Sequence, residues 1–157
     1  MKIRILFAVL ILVALGGISS MYAEEISSQD KVVYGTDDRV DYYEITDPMV
    51  RQWADSTCAL VNSYDLHKNK DGTYTLSTEP FTVSGYSACA SEPFGHQPTE
   101  PFCSGSMVGD DLIVTAGHCI NSSSVGTVRI VFGFVMINAT TPVTSFTEDQ
   151  VYTPISI

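Results

Sequence analysis

The stretch that most constrains this chain is CSGSMVGDDLIVTAGHC, Cys103 to Cys119. Two strand-like runs, FCSGSMV and LIVTA, flank the turn signal Gly109-Asp110-Asp111, which is the pattern of a β-hairpin. Folding about that turn sets residues equally far from it opposite each other. Cys103 then falls within one or two residues of Cys119, so a disulfide closes there with little strain. In the chain-entropy model a loop of this size stabilises the fold by roughly 3 kcal/mol. The chain holds four cysteines, which leaves Cys58 and Cys89 as a second pair. No independent geometry supports that second pairing. His118 sits just before Cys119, at a strand end pinned by the bridge. A general base must be held within about 3 Å of the proton it removes, and such a placement suits it. By spacing alone, however, one histidine is more often structural or solvated.

The N-terminus reads MKIRILFAVLILVALGGISSMYAEE. Lys2 and Arg4 precede an apolar run from Ile5 to Ile18, and Met21-Tyr22-Ala23 is the expected cleavage site. That layout is a secretory signal peptide over residues 1–23. The apolar run falls short of the roughly 20 residues that span a bilayer. Export to a secreted or periplasmic compartment follows, and an oxidising compartment favours two disulfides. The formal net charge is −10, and losing Lys2 and Arg4 makes the mature chain more negative. Such a surface repels phosphate, which argues against nucleic-acid binding and against stable association with anionic membranes.

Along the rest of the chain, EEISSQDK (24–31) is polar and aperiodic, the pattern of a disordered segment or a short propeptide. Lys31-Val32 is then a cleavage point, with Val32 as the mature N-terminus. TDPMVRQWADST predicts a short helix, capped by Thr46 or Asp47 with Pro48 early in it, and Met49, Val50, Trp53 and Ala54 share one face. From Cys58 the periodicity turns to strands: CALVNSYDL and TYTLSTEPFTV, joined by HKNKDG with Asp71-Gly72 as the turn. SACASEPFGHQPTEP is a loop. TVRIVFGFVMI is nearly continuous in apolar residues, as in a strand buried on both faces. Many short strands between turn signals predict an all-β fold.

Phe102-Cys103-Ser104-Gly105 followed by Val114-Thr115-Ala116-Gly117-His118-Cys119 resembles the histidine motif of the trypsin-like (chymotrypsin-fold) serine proteases. Cys89, Glu92, Phe94 and Gln97 (C-x-x-E-x-F-x-x-Q) and the early VVYGTDDR are similar to the bacterial trypsin-like and glutamyl-endopeptidase-like branch. The resemblance covers roughly residues 32–157, and Phe102–Cys119 is its specific part. It implies two β-barrels with the active site between them and a triad of His, Asp and Ser along the chain. Only His118 takes a catalytic role by this transfer. After it, the acidic residues Glu148 and Asp149 lie in the polar patch FTEDQ and read as surface-turn residues. Ser122, Ser123, Ser124, Ser145 and Ser156 all lack the Gly-Asp-Ser-Gly context that supplies an oxyanion hole.

Residues 32–157 are thus expected to form the N-terminal part of a peptidase domain, an incomplete first barrel without the second. TVRIVFGFVMI is expected to be left as an unpaired edge. The implied activity is hydrolysis of a protein or peptide substrate, with the isolated chain inert. The alternative is a non-catalytic secreted protein that keeps a protease-like half for binding or adhesion. No cofactor is called for. Zinc at Cys89, His96, Cys103, His118 and Cys119 is disfavoured, since no C-x-x-C spacing is present. DLHKNKDGTY has the outline of a calcium loop, but His67 and Thr78 stand where carboxylates are required. Nothing in the sequence fixes the oligomeric state.

Overall fold

The computed structural model describes residues 37–83 and 85–157. The expected signal peptide (1–23), the expected propeptide (24–31) and the expected mature terminus Val32 lie outside the described residues. Two compact units divide at Arg39. In the first, the Arg39 guanidinium grips both Asp37 oxygens at 2.8 Å and holds that carboxyl down at about 2. Everything below concerns the second unit, Val40–Ile157.

It opens with a 3-10 turn at Tyr42–Glu44 and the helix α1, Pro48–Asp55. Asp47 caps α1 by accepting from the Met49 and Val50 amides, and Pro48 occupies the first turn, where no N–H is needed. The shared apolar face of α1 is not buried: Trp53 remains 63% exposed and Met49 60%.

The rest is all-β, as expected. The strands are β1 (Thr57–Asn62), β2 (Leu66–Lys68), β3 (Tyr74–Leu76), β4 (Glu79–Pro80), β5 (Thr82–Val83), β6 (Tyr86–Ser87) and β7 (Pro98–Thr99). There follow β8 (Cys103–Gly109), β9 (Leu112–Thr115), β10 (Val128–Phe132), β11 (Met136–Asn138), β12 (Thr141–Pro142), β13 (Ser145–Phe146) and β14 (Val151–Tyr152). The main sheet has the order β14-β10-β1-β8-β9, and a three-stranded sheet has the order β13-β3-β2.

β1 lies at the centre of the main sheet and buries both of its faces. Strand side chains alternate, so Ala59 and Val61 point one way and Cys58 and Leu60 the other. On the first face Ala59, Val61 and Val131 pack with Leu66, Leu76 and Phe146 of the three-stranded sheet. Val61 and Val131 are fully buried and Phe146 is 1% exposed. Burying each such side chain contributes about 1.5–3 kcal/mol. On the second face Cys58, Leu60, Val128 and Cys119 form another cluster, flanked by Cys103, Ile113, Ile120, Ile130 and Phe132.

The β2–β3 hairpin turns where Asp71-Gly72 predicts it. Gly72 has φ +90, a conformation that glycine adopts freely, and Asp71 accepts from the Thr73 amide at 3.1 Å and hydroxyl at 2.7 Å. TVRIVFGFVMI departs from expectation in two ways. It is interrupted at Gly133, where φ is +82 and a Cβ would meet the Gln150 amide at 2.8 Å, so it supplies two short strands. Nor is it an edge: β10 pairs with β1 on one side and with β14 on the other. The outer strands of the main sheet are β9 and β14.

Candidate active site

The hairpin of β8 and β9 pairs Gly105 with Thr115, Ser106 with Val114 and Met107 with Ile113. Beyond Thr115 the chain turns, closed by the Cys119 amide donating to the Ala116 carbonyl at 2.9 Å. The Thr115 hydroxyl donates to the Ser104 carbonyl at 2.7 Å, which ties the start of that turn back to β8. The Cys103–Cys119 bridge forms, with Cα atoms 6.0 Å apart. Cys119 is buried and His118 exposed, so the turn sends one side chain into the sheet and its neighbour outward. The covalent tie from β8 therefore holds the backbone of an exposed imidazole.

The two bridge sulfurs and a ring nitrogen of His118 lie within 4.8 Å of one another. That trio is shaped like part of a metal site, but both sulfurs are consumed in the bridge, and a disulfide offers no thiolate to a metal. Among the described residues, no hydrogen bond or ion pair engages the His118 ring. Of the serines that follow, Ser123 and Ser124 are used in a turn. The Asn121 side-chain oxygen accepts from both of their amides and from the Ser123 hydroxyl. Glu148 and Asp149 sit on an exposed 3-10 turn, and Glu148 pairs with Lys68 at 2.9 Å.

The Cys58–Cys89 bridge does not form; both are free thiols. Cys58 is 3% exposed in the middle of the sheet, where burial pushes its thiol up. Cys89 is exposed in the loop after β6. The sequence sets no turn that brings the two together, in contrast to the hairpin that pairs Cys103 with Cys119. His67 is exposed on β2. His96 is exposed too, and its Nε2 donates to the Ala139 carbonyl at 3.1 Å.

The C-x-x-E-x-F-x-x-Q spacing is a series of turns. The Glu92 amide donates to the Cys89 carbonyl, Gly95 to Glu92 and Gln97 to Phe94. The Gln97 side chain then donates to Asp41 at 2.6 Å, anchoring the loop to the segment before α1. The recurring three-residue spacing was the available signal for that loop; its partner Asp41 was not foreseeable.

A cavity of about 640 Å³ opens between the segment before α1 and β1, lined by Tyr42, Ile45, Cys58, Phe102 and Phe134 among others. A second of about 610 Å³ lies over the second sheet face, lined by Ile113, Ile130, Phe132 and the tail after β14. His118 lines neither. The chemistry expected of it therefore belongs to an exposed turn rather than to a closed pocket.

Mostly strands with one helix, the described residues have the make-up of a chymotrypsin-like all-β barrel, with His118 presented at a strand end beside the bridge that closes its hairpin. Residues 74–153, half of the chain, match the family model described as trypsin. The chain belongs to the trypsin family of serine proteases. No curated protein matches it, and no solved structure does.

Proposed function

We propose that this chain is the base-bearing, N-terminal part of a secreted serine endopeptidase of the bacterial trypsin-like and glutamyl-endopeptidase-like branch, with His118 as general base. In this reading residues 1–23 direct export, 24–31 are a propeptide, and Val32 is the mature terminus. The observation that carries it is the placement of His118: exposed, next to Cys119, within a segment matched by the family.

In peptide hydrolysis the imidazole takes the proton of an attacking serine hydroxyl and returns it to the leaving amine, while a buried carboxylate fixes the tautomer. The bridge and the Thr115–Ser104 hydrogen bond hold the backbone on either side of the ring. They limit the motion that would carry it out of hydrogen-bonding reach. The carboxylate and the serine come from polypeptide other than residues 37–157. The substrate is a protein or peptide, and the chain by itself is inert.

A non-catalytic protease-like protein used for binding is the second reading. It is favoured by the lack, among the described residues, of any hydrogen bond to the His118 ring. Exposure of the 157-residue chain to a serine-directed fluorophosphonate tests the assignment of roles. The chain alone should take no label, whereas a longer secreted form should be labelled on a serine outside residues 37–157. Label on a serine of residues 37–157 contradicts the proposal, and an unlabelled longer form leaves the binding protein as the reading.

A further inference from the structure

Cys58 lies on the same face of the main sheet as the Cys103–Cys119 bridge. β1 and β8 pair Cys58 with Gly105 and Leu60 with Cys103, so Cys58 and Cys103 are diagonal neighbours one rung apart. Gly105 has no side chain to separate them. The Cys58 Sγ leans across to β8 and stands 3.2 Å from where a Gly105 Cβ would be. Cys58 and Cys119 share one buried cluster, and Cys103 packs against it. A His118 ring nitrogen lies within 4.8 Å of both bridge sulfurs.

We infer that Cys58, Cys103 and Cys119 form an internal thiol–disulfide exchange unit, in which Cys58 displaces Cys119 from Cys103 and frees the turn that carries His118. The Cys58 thiolate attacks the Cys103 sulfur in line with the existing bond. The Cys58–Cys103 bond forms as Cys103–Cys119 breaks, and Cys119 leaves as a thiolate. The proton lost by Cys58 is regained at Cys119, so no external oxidant or reductant is consumed. The register fixes the direction: it brings Cys58 to Cys103, so Cys119 is the sulfur that leaves.

The native bridge is the resting state. Diagonal neighbours stand roughly 7–8 Å apart at Cα, just beyond the usual span of about 4.4–6.8 Å for a disulfide, so the exchanged form needs a small shift of β1 against β8. Burial also raises the Cys58 thiol, which lowers its thiolate fraction and slows the attack. In the exchanged form the covalent tie on the His118 turn is gone, and the Cys119 thiol stands beside the ring. The consequence for catalysis rests on the reading of His118 as a base; the exchange itself does not.

The test is disulfide mapping of the intact chain, held in non-denaturing, mildly alkaline buffer, then acid-quenched, alkylated with N-ethylmaleimide and digested. A Cys58–Cys103 peptide accompanied by alkylated Cys119 should accumulate with time. A map holding only Cys103–Cys119, with Cys58 and Cys89 alkylated, overturns the inference. A Cys58–Cys119 peptide overturns the assignment of the attacked sulfur. As a second arm, Cys119→Ser should oxidise to a Cys58–Cys103 bridge, and pairing of Cys103 with Cys89 instead overturns it. Because these readouts need no peptidase activity, the exchange can fail while His118 proves catalytic, and the reverse.

Discussion

The two faces of the main sheet are built differently. The first is closed by a second sheet: Phe146 from β13, Leu76 from β3 and Leu66 from β2 cover Val61 and Val131, and all are buried. The second holds the bridge and the turn bearing His118, yet Ile113, Ile130 and Phe132 stay half-buried and line an open cavity. Met107 beside them is 42% exposed. One face is closed by packing, and the other carries a covalent bond and an exposed imidazole. His118, Cys58, Cys103 and Cys119 all belong to the less sealed face.

That contrast can be broken by substitution. Phe146→Ala on the closed face should cost about 3–5 kcal/mol, read by denaturant unfolding, whereas Met107→Ala on the open face should cost under about 1 kcal/mol, as for a side chain partly in water. Equal losses would erase the distinction. Next in size, replacing Cys103 and Cys119 together by alanine should cost about 3 kcal/mol. The same double variant should retain the β-sheet signal in circular dichroism, because the closed face is untouched. Smaller again, Gly105→Ala places a Cβ 2.8 Å from Ile113 and 3.0 Å from the Val114 carbonyl. That overpacking should cost about 1–3 kcal/mol. A neutral result would mean that the second face yields more readily than its register implies.

The smallest effect is electrostatic. Glu100 has its carboxyl raised, first by loss of water and then by Asp65 and Glu79. A carboxyl raised by folding adds stability below its ordinary value of 4.5, and that contribution is lost as pH rises through the folded value. Charged Glu100 therefore opposes folding at neutral pH. Glu100→Gln should raise the thermal midpoint slightly at pH 7, and the gain should vanish on acidification below the carboxylate range. A gain that persists in acid would place its cause elsewhere.

What the sequence disclosed depended on distance along the chain. Cys103 and Cys119 were readable as a pair because one turn, 109–111, sets their register. Asp71-Gly72 and Asp47-Pro48 were readable because turn and cap chemistry act over a few residues. The pairing of β1 with β10, and of β10 with β14, joins residues far apart, and no local pattern specifies it. The supposed edge strand therefore turned out to be interior. Cys58 was misassigned because cysteine counting ignores burial: in the sheet interior it packs as a small apolar side chain. Trp53 and Met49 had the spacing of a buried helix face but remain exposed. His118 was singled out by its motif, and its exposure was not legible from the apolar residues around it.

The most direct measurement is peptide hydrolysis by the full-length protein as its source makes it, with His118 intact and as His118→Ala. If His118 is the base, kcat should fall by about 10⁴–10⁶, with little change in KM and with the unfolding midpoint preserved. A rate that survives the substitution within tenfold, or a full-length protein with no hydrolysis to lose, would contradict the account.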